Sequence, residues 1–267
     1  MPRPDSLPWM ESVDAKVRRA RVHLDDFRAS ALKWSETARP TFIRKTNHER
    51  TSHWLVFYVQ DPHPPIELSV VVGDFLHNLR SALDSLVCGL VRRMAPSSTC
   101  SGRQFPIFTD PDKYLAARNQ MLRGVSPEAR TIVDALQPHM RPEGTRALDP
   151  LWILNTLNNH DKHRTTHLTL CCNKNLELLI PLKNGALWRV RLDRDYVAGD
   201  VSIVPLHCEP ALVADDSDGL TIHVSGRTVL LFRLDEPFAD RPVDQLLEAC
   251  LRYVEDHVIV RFRPLFS

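Results

Sequence analysis

The stretch that decides the fold reads IELSVVVGDFLHNLRSALDSLVCGLVRRM, residues 66–94. Pro65 ahead of it suits the first turn of a helix, and the apolar residues recur at helical spacing throughout. With Asp74 as origin and about 100° per residue, Arg80, Asp84, His77, Ser81, Asp74, Ser85 and Asn78 fall in one arc of roughly 160°. Phe75, Leu76, Leu79, Ala82 and Leu83 fill the other side. Val70 and Cys88 project with the polar arc, and Val72, Val87 and Val91 widen the apolar surface at both ends. The pattern predicts a polar island on a helix buried nearly all round. Buried polar groups cost on the order of 1–3 kcal/mol each when unpaired. They must therefore meet each other, another element or a ligand. Arg80 with Asp84, and His77 with Arg80, stand at the spacings that allow pairing along one helix.

Upstream, Met10, Val13, Val17, Ala20, Leu24, Phe27, Ala31 and Trp34 alternate steps of three and four, a narrow helical stripe that packs best against a second long helix. TFIRKTNH (41–48) and SHWLVFYVQ (52–60) read as a β-hairpin. Downstream, Thr109 or Asp110 with Pro111, and Ser126 with Pro127, mark two helix starts, and Asp149-Pro150 opens LWILNTLNNHDKHR. Beyond Arg164 come short, mostly alternating segments with Asn184-Gly185 and Ser225-Gly226 turns, the texture of an antiparallel meander. A last helix follows Pro242, with Val243, Leu246, Leu247, Cys250, Val254 and Val258 on one face. The expected class is α+β: a helical bundle in the N-terminal part, an antiparallel sheet in the C-terminal part and a closing C-terminal helix. Residues 1–164 form the mainly helical region, with the hairpin inserted at about 41–60. Residues 165–267 form the β region and closing helix, packed with the first as one unit.

The 267 residues suffice for a sizeable core, and a formal net charge of +1 excludes the strong basic bias of a general nucleic-acid binder. An anion site must be local. No run of apolar residues is long enough for a membrane span, and the N-terminus lacks a secretory h-region. Six cysteines without C-x-x-C spacing favour free thiols in a reducing cytoplasm over a disulfide framework.

A second polar group lies on the helix that begins near Leu151. Asn155, Asn159, Lys162 and His163 share one face, while Asp161 and Arg164 can pair on another. Two such islands in one chain are most easily explained if they face each other across a cleft. There, His77 or His163 could transfer protons near neutral pH, and Arg80, Lys162 and Arg164 could hold a phosphate. Asp74, Asn78, Asp84, Asn155 and Asn159 would complete the ligand contacts. That set suits metal-independent phosphodiester chemistry, with His77, Arg80 and His163 as the catalytic candidates. Neither metal nor cofactor is expected, for no H-E-x-x-H spacing, P-loop or dinucleotide fingerprint occurs.

GDFLHNLRSALDSL (73–86) and PLWILNTLNNHDKHR (150–164), with the intervening FPIF (105–108) and ALQP (135–138), resemble segments shared by a broad group of uncharacterised bacterial proteins. Arg80 on a bundle helix is also similar to the arginine of HEPN-type ribonucleases, where a histidine follows five positions later and two motifs meet in a dimer. Here that position is Ser85. The resemblance implies an RNA or nucleotide ligand, a homodimer and His77 or His163 as substitute acid–base. The alternative is a non-enzymatic interaction or dimerisation protein whose polar segments form a buried structural network.

Overall fold

The computed structural model describes residues 9–38, 41–46, 53–58, 63–163, 168–172, 177–181, 187–191, 196–197, 203–206, 221–223, 228–232, 238 and 241–266. Two long helices dominate it. Helix α1, Trp9–Ala38, buries Val13, Val17, Ala20, Leu24, Phe27 and Trp34, the stripe read from the sequence. Helix α2, Ile66–Met94, buries Phe75, Leu76, Leu79, Leu83, Leu86 and Leu90 against it. Between them stands the antiparallel hairpin of β1, Thr41–Thr46, and β2, His53–Tyr58, paired from Thr41 with Tyr58 to Thr46 with His53. Phe42 and Phe57 meet tilted at 5.3 Å between ring centroids, which ties the hairpin to the core.

Helix α3, Pro111–Met121, starts at Asp110, whose side chain accepts from Asp112 N and Lys113 N. Helix α4, Pro127–Ala135, starts at Ser126, which accepts from Ala129 N. Both caps satisfy amide groups that a helix start leaves open, and Pro at the next position loses no bond there. Helix α5, Pro150–His163, opens at buried Asp149, which accepts from Leu151 N at 2.9 Å. Helix α6, Val243–Tyr253, turns through a π-helical segment at Val254–Ile259 into α7, Val260–Phe262, and buries Val243, Leu246, Leu247, Cys250, Val254 and Val258. Helix α6 packs on α5 and α1, so the last helix closes the same core.

The expected α+β division is corrected: among the described residues the chain is mostly helical, with seven helices, and the C-terminal strands build no continuous sheet. The described C-terminal strands are two to five residues long. They divide among short ladders, two of them at the edges of the N-terminal hairpin: Ile203–Leu206 beside β2, and Thr221–His223 beside β1. The physical reason is that alternation marks residues able to lie extended. It carries no information about which strand pairs with which, and the long helices bury most of the core.

A second correction concerns the thiols. Cys88 and Cys100 are joined in a disulfide, with Cα atoms 5.4 Å apart. The turns after α2, including Gly102 at φ 69°, return the chain beside the end of that helix, a proximity that sequence spacing does not reveal. No helix among the described residues is long and apolar enough to cross a membrane.

Candidate functional site

The polar residues of α2 divide between two neighbours. On one side lies the extended segment that begins at Phe105. Arg80 is 8% exposed, and its Nη2 donates to Phe105 O at 2.8 Å. Asp84 Oδ1 accepts from Phe105 N at 2.9 Å and lies 3.0 Å from Arg80 Nη2. One helical Arg–Asp pair thus holds both main-chain polar atoms of Phe105. Burial pushes the Arg80 guanidinium below its ordinary value, with Asp84 opposing. Arg80 Nη1 is buried without a hydrogen bond.

The next residues of that segment are held from the far side. Gln137, fully buried, donates Nε2 to Pro106 O at 2.9 Å and to Val133 O at 3.1 Å, and His139 N donates to Phe108 O at 3.0 Å. The FPIF and ALQP segments are therefore bonded to each other, and FPIF is bonded to α2. The fourth shared segment joins at Gly73. A Cβ built there would come within 2.6 Å of Asp161 Oδ2, so the absence of a side chain is what lets the α5 carboxylate approach α2. The two polar segments do meet, at Gly73 and Asp161.

On its other side α2 faces α1. Lys16 Nζ donates to Ser81 Oγ at 2.7 Å and Ser85 Oγ at 2.6 Å, with Ser81 O at 3.4 Å. Desolvation lowers the Lys16 ammonium pKa, and Asp84 opposes that shift. His23, 7% exposed, feels Asp74; burial lowers its imidazole pKa, Arg19 adds to this, and Asp74 and Asp26 oppose it. Lys16 beside Ser81 and Ser85, with His23 near Asp74, makes the helices antiparallel. Sequence reasoning missed Lys16 and His23 as α2 partners. Their signal was present: they are seven residues apart, hence on one helix face, at the edge of the apolar stripe. Gln137 and buried Asn158 were also missed, and isolated amides in apolar runs carry no pattern of their own.

The expectation that the island is enclosed is corrected. Val70 is 56% exposed, Asp74 and His77 are exposed, and Asn78, Ser81, Asp84 and Ser85 are half-buried, so the arc is an outward strip between α1 and the Phe105 segment. Asn78 Nδ2 donates to Asp74 O of its own helix at 2.7 Å. Among the α5 candidates, Asn155 is half-buried and Asn159 and Lys162 are exposed. His163 ends α5, its side chain lies outside the described residues, and so does Arg164. Of the catalytic candidates, Arg80 is turned into the Phe105 contact while His77 faces outward, so the structure does not bring those two groups to one open site.

Elsewhere the polar pairs are also helix-to-helix ties. Asp134 accepts from Tyr114 Oη and from Arg118, joining α3 to α4. Arg141 holds buried Asp149 at 3.0 Å and donates to Tyr253 Oη at 2.6 Å, which ties the start of α5 to α6. A groove of about 390 Å³ between α1 and the C-terminal helices is lined by Asp14, Arg18, Glu255 and Arg263, and Asp14 and Arg263 pair across it at 2.8 Å. The chain matches no family model, no curated protein and no solved structure.

Proposed function

We propose that this chain is a non-enzymatic interaction protein, in which the segments with the strongest sequence signature hold the fold and the outward strip of α2 is offered to a partner. One observation carries the reading: residues from all four signature segments are spent on one another. Arg80 and Asp84 bind Phe105, Gln137 binds Pro106, and Asp161 rests on Gly73. An arginine whose guanidinium is bonded to a main-chain carbonyl under the surface is poorly placed to meet a phosphate. The strip, with Ile66, Val70, Asp74 and His77 exposed in successive turns, has the mixed apolar and polar character of a helix that meets a second copy or another protein.

A second reading, a phosphate-bearing ligand such as RNA or a nucleotide, is favoured by exposed His77 and Lys162, each within four residues of the Gly73–Asp161 contact. A cytoplasmic setting belongs to either reading. One experiment separates them: thermal unfolding of the wild type and Arg80→Ala with and without nucleotides and short RNAs, with light scattering on the same samples. A dimer, a large drop in midpoint for Arg80→Ala and no ligand shift support the interaction protein. A wild-type midpoint raised by RNA or nucleotide, and lost in a folded variant, overturns it.

A further inference from the structure

The Cys88–Cys100 bond lies outside the network just described and has a different chemistry. Cys88 sits on the same face of α2 as His77, Ser81 and Ser85, by steps of three and four. Residues 95–104 therefore lie across the C-terminal end of the outward strip. Both cysteines are half-buried, while Pro96, Ser97, Thr99, Ser101, Gly102 and Gln104 are exposed.

Little else ties this segment down. Among the described hydrogen bonds, Ser98 N donates to Ala95 O and Arg103 N to Cys100 O, both within the segment. Ala95 N donates to Val91 O where the segment leaves α2, and the Arg103 side chain reaches α3 at Gln120 O, 3.3 Å away. Past Gln104 the situation reverses: Phe105, Pro106 and Ile107 are buried and held by Arg80, Asp84 and Gln137, none of which needs the disulfide. The sulfur bridge thus closes an exposed segment onto a core that is secured independently of it. Cys250 makes the contrast: it is fully buried, and burial pushes its thiol up to about 12, so it takes no part in thiol exchange near neutral pH.

We propose that Cys88 and Cys100 form a reversible thiol–disulfide site, reduced by a low-molecular-weight thiol, that latches residues 95–104 over the end of the α2 strip. The thiolate of the reductant attacks one sulfur and releases the other cysteine as a thiolate, which takes up a proton. A second reductant thiolate then attacks the mixed disulfide at the reductant's own sulfur. The second cysteine leaves and is protonated, and the reductant departs as its disulfide. Two electrons and two protons pass to the protein. The segment is then held only by Ala95 N on Val91 O at its start, by its own turns and by Arg103, and the helical core is unchanged.

The test uses the full chain equilibrated in buffers of reduced and oxidised glutathione, quenched with acid, alkylated and mapped by peptide mass spectrometry, with hydrogen exchange on the same samples. The expected result is that Cys88 and Cys100 become alkylated together as the reduced fraction rises. Amides of 95–104 then exchange about tenfold faster or more, while those of α1 and α2 up to Leu86 keep their protection. Cys100→Ser reproduces the reduced pattern at every ratio, and the reduced wild type alone decides the matter should that variant fail to fold. Three results overturn the proposal: both thiols alkylated even in oxidised glutathione, a bond that yields only when the whole chain is denatured, or unchanged exchange of 95–104 on reduction.

Discussion

Replacement of Arg80 by alanine tests the role of the signature segments most directly. The substitution removes the donor to Phe105 O, a charge-assisted bond worth about 1.5–3 kcal/mol in a site that excludes water. It also removes the buried apolar stem of a side chain that is 8% exposed, at up to about 0.8 kcal/mol for each methylene. Two effects work the other way. A buried guanidinium with one unbonded nitrogen no longer has to be desolvated. Asp84, one-third exposed, regains water and keeps its bond from Phe105 N. The balance is a loss of about 2–4 kcal/mol, which in a chain of this size lowers the melting midpoint by roughly 5–10 °C. Circular dichroism melts and urea titrations measure it. Arg80→Met, which keeps most of the stem, should lose less than Arg80→Ala. Asp84→Ala should be non-additive with either, because the two residues share Phe105. An Arg80→Ala midpoint within about 1 °C of wild type, with a phosphate ligand lost, would refute the structural role.

Three other perturbations probe separate links. In Gly73→Ala, a helix-propensity gain of about 1 kcal/mol is set against overpacking of about 1–3 kcal/mol on Asp161, for a net loss near 1 kcal/mol. Adding Asp161→Ala should remove the clash, and a stabilised single variant in chemical denaturation would show that the contact is loose. His23 has a folded pKa below its unfolded value of about 6.5, so the unfolded chain binds more protons between the two. Stability should therefore fall as pH drops from about 6.5 towards the lower folded value and change no further below it; His23→Gln, melted across the same range, should flatten that dependence. Gln137→Leu takes the amide donor from Pro106 O, while Val133 O keeps its bond from Leu136 N, and should cost about 1–3 kcal/mol, measured by urea titration. An unchanged midpoint would mean water replaces the amide.

Much of the helical framework was legible because a helix writes its partners into a local period. The α1 stripe, the span of α2 and the buried face of α6 follow from steps of three and four alone. The caps at Asp110 and Ser126 follow from side chains that satisfy amides two or three residues away. The polar arc of α2 was legible for the same reason, but its use was not. Whether Arg80 faces solvent, a ligand or Phe105 depends on a segment 25 residues away, and nothing in the period of α2 encodes that segment's path.

The sequence by itself determined which residues share a face, where α2 starts and stops, and that the polar groups of 73–87 needed partners. Only the tertiary structure decided who those partners are: Phe105 for Arg80 and Asp84, Lys16 for Ser81 and Ser85, Asp161 over Gly73, and Cys100 for Cys88. It also decided that the described C-terminal strands do not combine into one sheet. The reason is range. Helical spacing and capping are set by bonds within a few residues, whereas clamps, bridges and strand pairings join distant parts of the chain, and their choice rests on which arrangement buries the most apolar surface with the fewest unpaired polar groups.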